Sequence, residues 1–504
     1  MKRNVMNIVN FVRGLEPRGP MDLYTPVEKQ IKTNRKYGLK STFLLQYDAM
    51  QREDFRKLFL SNAADDIELG VWFENCRELI ESIGLKWEGR EGYDWDWYVN
   101  PGFLMAYTNE EREKIVDAVF LKFKEIFGKY PQVAGSWILD AYSMNYMCEK
   151  YGMKAFCNCR EQWAVDAYSL WGGYINGGYY ASKKNMLCPS QTEENKISAP
   201  IFRMLTIDPI YGYDCRKYND KFENGFNCWT LEPVWKEGQD PDIIKWMFNE
   251  YYRNPKVSYA HGTTGQENSF GWENFGKGYV LQAEMLAALQ KEGVVTVETL
   301  GESGERFKAE YKENPPYTLS AMTDWCGNDY KTTWYNSKHY RADLFKCGDE
   351  LLFRGINKFD ENYEERYLTK PCKEWCARYD DLPVLDTRLW SKNGKECYLE
   401  FNKKVRDISI RENENNSFIT DITWADKKKG KVVFEESFIK IVGDVGLSLC
   451  FGDCGDDVEY FLDGNVFNFK HNGFGYSVRV DAKIKKSGEV FVLSPENDEI
   501  IINF

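Results

Sequence analysis

Short apolar runs alternate with helical patterns through the first half of the chain, at intervals that suit stacked βα units. Val5 to Phe11 predicts a first strand, Leu39 to Tyr47 a second, Ile67 to Trp72 a third and Val133 to Leu139 a fourth. Thr25, Pro26 and Glu28 have the form of a capping box that opens a helix, which closes at Gly38. A second helix runs from about Phe73 to Ser82 and ends at Gly84. Thr108 and Glu111 form another capping box, ahead of an apolar stripe at Ile115, Val119, Phe123 and Ile126. A further helix ends at Gly152. Later strands are expected from Phe202 to Ile207, Lys256 to His261 and Val294 to Glu298. The glycine- and aromatic-rich stretch from Trp171 to Tyr180 predicts a long loop over the mouth of the sheet.

A short internal echo fits this pattern. YGLKSTF (Tyr37 to Phe43), IGLKW (Ile83 to Trp87) and YGMKAF (Tyr151 to Phe156) share a helix-ending glycine, an aliphatic residue and a lysine. After about Thr323 the character changes. From Cys397 onward, runs such as CYLEF, SFITDITW, KVVFEESF and YSVRV alternate with period two between Asn, Gly and Asp. The expected fold is therefore α/β: a distorted (β/α)7 TIM-like barrel over 1–325, a connecting region over 326–390, and an all-β sandwich-type domain over 391–504.

Composition narrows the partners. The 504 residues exceed the size at which one core stops growing, so two domains are the default. A net charge of −12, with the lysines spread rather than clustered, argues against nucleic acid or an anionic membrane surface. The three histidines, His261, His339 and His471, have no metal-site spacing, and neither Cys157/Cys159 nor Cys372/Cys376 has that of a zinc knuckle. No metal and no cofactor are expected. The start, MKRNVMNIVNFVRG, is interrupted by Asn4, Asn7 and Asn10 and lacks the apolar run of a signal peptide; no stretch has the length of a transmembrane span. Most cysteines sit among apolar residues, which suits reduced thiols and a cytoplasmic setting.

Candidate chemistry sits where strands should end, because the carboxyl ends of barrel strands face one shared mouth. Asp140 follows VAGSWIL, and Glu267 lies in the glycine-bearing loop GTTGQENSFGWE. Asp140 equally suits a helix N-cap, and Glu267 a solvent-facing loop. A glycosidase needs two such groups across the scissile bond. Glu16 and Arg18, Asp48, Trp72, Trp95, Asp96, Trp137, Asp208 and Trp272 are candidate sugar-binding walls. The ring-and-carboxylate alternation of YDWDWY, which includes Trp97, reads as a loop at the mouth, and Arg160, Glu161 and Gln162 follow the fifth strand.

GSWILDAYSMNYMCEKYGMKAF is similar to the fourth-strand region of glycoside hydrolase family 57, where a Trp lies three residues before the nucleophilic carboxylate. Trp137 and Asp140 match, with Asp in place of Glu. GQENSFGWENFGKGY looks like the region that carries the family's acid/base aspartate, and Glu267 is the nearest carboxylate, one residue out of register. DIELGVWFEN resembles the H-E-x-G-x-H segment of polysaccharide deacetylases at Glu68 and Gly70, with Ile67 and Trp72 where that family has metal-binding histidines. The chain as a whole also resembles an uncharacterised bacterial family that joins this barrel to a C-terminal β domain. The resemblance implies a metal-independent retaining glycosidase acting on a carbohydrate, with Asp140 as nucleophile and Glu267 as acid/base. The alternatives are a non-catalytic carbohydrate-binding protein, a deacetylase and a transglycosylase. A homo-oligomer is compatible with a β domain packed beside a barrel.

Overall fold

The structure is a computed structural model and describes residues 2–165, 167–213, 230–413, 417–455 and 457–504. Strands β1 (Asn4–Val12), β2 (Ser41–Leu45), β3 (Ile67–Trp72), β4 (Val133–Gly135) and β5 (Ala155–Cys159) lie side by side in chain order and parallel. Ile201–Met204 extends the sheet beyond β5, and Ala260–Thr264 extends it beyond β1. The first half of β1 pairs with Ala260–Thr264 and its second half with β2, so the strands are staggered and the sheet curls. Its two ends touch where Thr206, just past Ile201–Met204, reaches the other end strand: Thr206 N donates to Thr263 O at 3.1 Å and Thr263 N to Thr206 Oγ1 at 2.7 Å. Curling leaves β1 buried on both faces. Two of its asparagines make hydrogen bonds inside: Asn7 Nδ2 donates to Glu298 O at 2.9 Å, and Asn10 Oδ1 accepts from Gln30 Nε2 at 3.1 Å.

The helical punctuation follows the sequence in most places. Gly38, Gly84 and Gly152, the glycines of the internal echo, all have positive φ after a helix. Thr108 and Glu111 form the reciprocal capping box of helix Asn109–Phe127. The expected box at Thr25 does not form. That helix spans Tyr24–Lys36, and Asp22 Oδ1 takes the free N–H groups of Tyr24 and Thr25, both at 3.0 Å. The helix expected from Phe73 is shorter, Arg77–Ser82, because Phe73 N still bonds to Gly135 O at 2.8 Å as an extension of the sheet. The stretch from Trp171 to Tyr180 is buried throughout rather than laid over the mouth. Gly173 N donates to Asp381 Oδ2 at 2.8 Å and Ile175 N to Asn336 Oδ1 at 3.0 Å, which ties this stretch to the strands beyond it.

The large antiparallel sheets begin at Tyr317–Ala321, earlier than the sequence suggests. The stretch 326–390 is not a connector. Tyr330–Asn336, Tyr340–Cys347 and Glu350–Lys358 join Tyr317–Ala321 in a nine-stranded sheet that continues through Cys397–Phe401 and Leu447–Phe451. An eight-stranded sheet from Val405–Glu412 to Val458–Asp463 packs against it, and the two share one core that includes Leu344, Phe353, Phe418 and Val432. A hairpin of β6 (Gln162–Val165) and β7 (Tyr168–Trp171) pairs in parallel with Ala377–Asp380, binding the first half to the second. No described helix is long and apolar enough to cross a membrane.

Candidate active site

The carboxyl ends of the parallel strands surround a cavity of about 260 Å3. Arg13 follows β1, Glu74 follows β3, Trp137 follows β4, Arg160 and Gln162 follow β5, Leu205 follows Ile201–Met204, and Glu267 follows Ala260–Thr264; all line it. Each lies just beyond the end of a strand, where the backbone leaves the sheet and side chains can converge.

Arg13 is the centre of the charge arrangement. Its Nη2 donates to both oxygens of Glu74, at 3.1 and 3.0 Å, and its Nη1 donates to Glu267 Oε1 at 3.0 Å. Its guanidinium also lies 4.1 Å from the Trp95 ring centroid. Glu74 Oε2 accepts from Gln46 Nε2 at 2.6 Å and from Trp72 Nε1 at 2.8 Å. Burial pushes the Glu74 carboxyl up; Arg13 opposes this and Glu267 adds to it. The Glu267 loop is held to β1 by Asn268, whose Oδ1 accepts from Arg13 N and whose Nδ2 donates to Arg13 O, both at 2.9 Å. Gly265 makes the turn into that loop at φ +131, where a Cβ would stand 1.9 Å from Val9 O.

Glu232 is the third carboxyl of the cavity and the most perturbed. Gln266 Nε2 donates to its Oε1 at 2.8 Å and Trp235 Nε1 to its Oε2 at 2.6 Å. Gln266 Oε1 accepts from Val234 N at 2.9 Å, so one residue ties the Glu232 loop to the backbone that carries Glu267. Burial, with the nearby charge of Glu267, pushes Glu232 up to about 7. Trp95, Trp97, Trp137, Trp235 and Phe270 supply flat apolar walls. The walls continue outward: Trp97 packs on Tyr98 at 6.1 Å, and Tyr98 on the exposed Trp375 at 5.4 Å.

The structure does not bring Asp140 and Glu267 together. Asp140 is wholly buried, outside the cavity lining, and serves as the N-cap of helix Ala141–Tyr151. Its oxygens accept from Arg112 Nη1 at 3.0 Å, Ser143 N at 2.9 Å and Ser143 Oγ at 2.8 Å. Trp137, three residues earlier, does face the cavity. Trp72 is in the core, stacked on Phe11 at 4.4 Å, and meets the site from behind, through Glu74 and edge-on to Trp137 at 5.4 Å. Trp95 is in the wall. Asp96 instead pins its own loop, accepting from Arg90 Nε at 2.8 Å.

The remaining candidates divide in the same way. Arg18 lines the cavity, and Glu16 holds it there, accepting from Arg18 Nε at 2.7 Å. Asp48 accepts from Gly14 N at 2.9 Å and Leu15 N at 2.7 Å, fixing the turn after β1. Asp208 caps a turn through Ile210 N at 2.7 Å and Tyr211 N at 2.9 Å. Trp272 begins helix Trp272–Lys291 and borders a separate surface depression near Met21. Glu161 turns away from Gln162 to pair with Arg341 Nη1 at 2.9 Å. Glu68, of the deacetylase-like segment, sits at the opposite end of β3 and accepts from Thr42 Oγ1 at 3.0 Å.

Arg13, Glu74 and Glu232 are the residues the sequence argument missed. Glu74 stands two residues past the third strand, inside a segment already singled out. Glu232, in TLEPVW, has the signal of a carboxylate directly before a proline and three residues before a tryptophan. A metal does not fit the mouth as built. Among the described residues no three His, Cys, Asp or Glu side chains are grouped to hold one, and a guanidinium stands between Glu74 and Glu267. His261 is buried within its strand, with Nε2 2.8 Å from Asn7 Oδ1.

No protein-family model matches the chain, and no curated protein matches it. Solved structures do. One, from Parabacteroides distasonis and provisionally named a glycoside hydrolase/deacetylase, matches 76% of this chain and 90% of its own with a TM-score of 0.55 and 14% identity. Another, from Mycobacterium smegmatis and provisionally named a polysaccharide deacetylase, matches 61% of this chain and 91% of its own with a TM-score of 0.38 and 11% identity. The likeness to the Parabacteroides protein concerns the fold alone and does not single out family 57.

Proposed function

We propose that the protein is a carbohydrate-active hydrolase that cleaves a glycosidic bond with two glutamates, Glu232 and Glu267, on a (β/α)7 barrel. A path of seven parallel strands, its ends joined through Thr206 and Thr263, supports the barrel reading, with Thr296–Glu298 an eighth parallel strand beside β1. The observation that carries the function is the pairing of roles at the mouth. Glu232 is held near neutrality at about 7, and Glu267 is ion-paired to Arg13 in the same aromatic-walled cavity. A carboxyl that burial keeps protonated, beside a second one ion-paired to an arginine, is what acid–nucleophile division requires.

In this mechanism Glu267 attacks the anomeric carbon as the bond to the leaving oxygen breaks, and Glu232 gives that oxygen its proton. Water then attacks the glycosyl ester while Glu232 takes the water's proton, which restores both residues. Arg13 holds Glu267 in place, and Trp137 and Trp95 supply faces for the sugar ring. A second sugar in place of water would give transglycosylation.

The test is turnover of a panel of aryl glycosides by the wild type and by Glu232→Gln and Glu267→Gln. Loss of turnover in both, with azide restoring Glu267→Gly as a glycosyl azide of inverted configuration, supports the proposal. Wild-type turnover in either Gln variant overturns it. The deacetylase reading shares the fold, and acetate release from acetylated sugars by the same preparation would favour it.

A further inference from the structure

We propose that a second cavity, between the β6–β7 hairpin and the C-terminal sheets, is a binding site for a neutral saccharide. It encloses about 550 Å3 against about 260 Å3 at the mouth, within the range of small-ligand pockets. The hairpin is the wall between the two. Gln162 and Tyr168 face the mouth, while Trp163 and Trp171 face the second cavity, as alternation along a strand allows.

The lining has the components of carbohydrate recognition. Trp163 is partly exposed and stands edge-on to Trp171 at 5.9 Å. Arg378 lies 5.0 Å from the Trp163 ring centroid, and Arg388 lies 5.0 Å from that of Trp171. Asp380, Asp381 and Asp386 are buried beside them. The structure fixes each of these carboxylates. Asp380 accepts from Tyr363 OH at 2.8 Å and Arg366 Nη2 at 2.7 Å, with His471 Nε2 at 3.3 Å. Asp386 accepts from Arg388 N at 3.0 Å and Leu389 N at 2.6 Å. Asp381 accepts from Gly173 N at 2.8 Å, and Arg378 pairs with Asp457.

Opposite charges therefore stand side by side, which gives an ion of either sign little advantage. What such a wall offers is rigid, bidentate hydrogen-bonding groups next to indole faces, and an uncharged polyhydroxylated ring uses both. The assignment stands on this lining and not on the chemistry of the mouth, so either can fail alone.

Calorimetric titration of the full chain with maltohexaose, cellohexaose and xylohexaose tests it. At least one hexaose is expected to bind, with Trp163→Ala weakening that binding tenfold or more while the thermal midpoint and any aryl glycoside turnover stay at wild-type values. Glu232→Gln is expected to leave this binding intact. The proposal is overturned if no hexaose binds, if Trp163→Ala binds as the wild type does, or if binding is lost on Trp137→Ala but not on Trp163→Ala.

Discussion

Arg13 divides its guanidinium between Glu74 and Glu267, donating from Nη2 to one and from Nη1 to the other, 3.0 Å away in each case. All three side chains are nearly fully buried, and the two partners lie nearly two hundred residues apart in the chain. Removing a member of a buried pair leaves its partner's charge uncompensated, at a cost of about 3–5 kcal/mol. Arg13→Leu is expected to lower the unfolding free energy by about that much, as read by denaturant titration. Arg13→Lys should lose less, because an ammonium keeps the charge without the fork.

Glu232 makes a pH prediction for activity. A general acid must carry its proton, so kcat/KM should fall as pH rises through about 7, the value to which burial and Glu267 push Glu232. Glu232→Gln should remove that alkaline limb and reduce kcat by about 10²- to 10⁴-fold. A wild-type pH profile flat between 6 and 9 would exclude Glu232 as the acid.

The same shift makes a prediction for stability. Glu232 is raised in the folded state, so folded protein binds this proton more tightly than the unfolded chain does. Its stabilising effect is complete below the unfolded value of about 4.3 and is lost as pH rises to about 7. The loss is up to about 3 kcal/mol. Asp48 and Asp208, both pushed up to about 6 by burial, act in the same direction. Melting curves at pH 5 and pH 8 should differ less in Glu232→Gln than in the wild type.

Asp140→Asn separates cap from catalyst. Asparagine can still cap helix Ala141–Tyr151, but Arg112 loses its charged partner in a fully buried setting. Burial and the Asp140 charge push Glu365 up to about 8, so loss of that charge makes ionisation of Glu365 less costly and softens the effect on Arg112. The variant is expected to lose up to about 3 kcal/mol of stability and to keep turnover once folded. Loss of turnover at unchanged stability would return Asp140 to the mechanism.

The outer aromatic strip predicts a length-dependent effect. Trp375 is more than half exposed and joins the mouth through Tyr98 and Trp97. Trp375→Ala should raise KM for oligosaccharides several-fold, the equivalent of about 1 kcal/mol, and leave kcat and short substrates unchanged.

Much of the α/β architecture is local and was legible in the chain. The strand at Ile67–Trp72, the capping box at Thr108 and the glycine stops at Gly38, Gly84 and Gly152 depend on residues a few positions apart. So does the alternation that announces the C-terminal sheets. Such features are set by backbone sterics and by which faces must leave water, and both are written at short range.

The site is not local. A carboxylate after a strand can cap the next helix or face the mouth, and Asp140 and Glu267 show that the two fates share one sequence signature. What separates them is a partner far along the chain: Arg112 and the end of a helix take Asp140, while Arg13, across more than half the sequence, holds Glu267. Glu232 reaches the mouth because Gln266, from another loop, binds it there. Local sequence determined where the strands stop. Only the curling of the sheet decided which charges were left facing one another, because electrostatic pairing follows distance in space and not order along the chain.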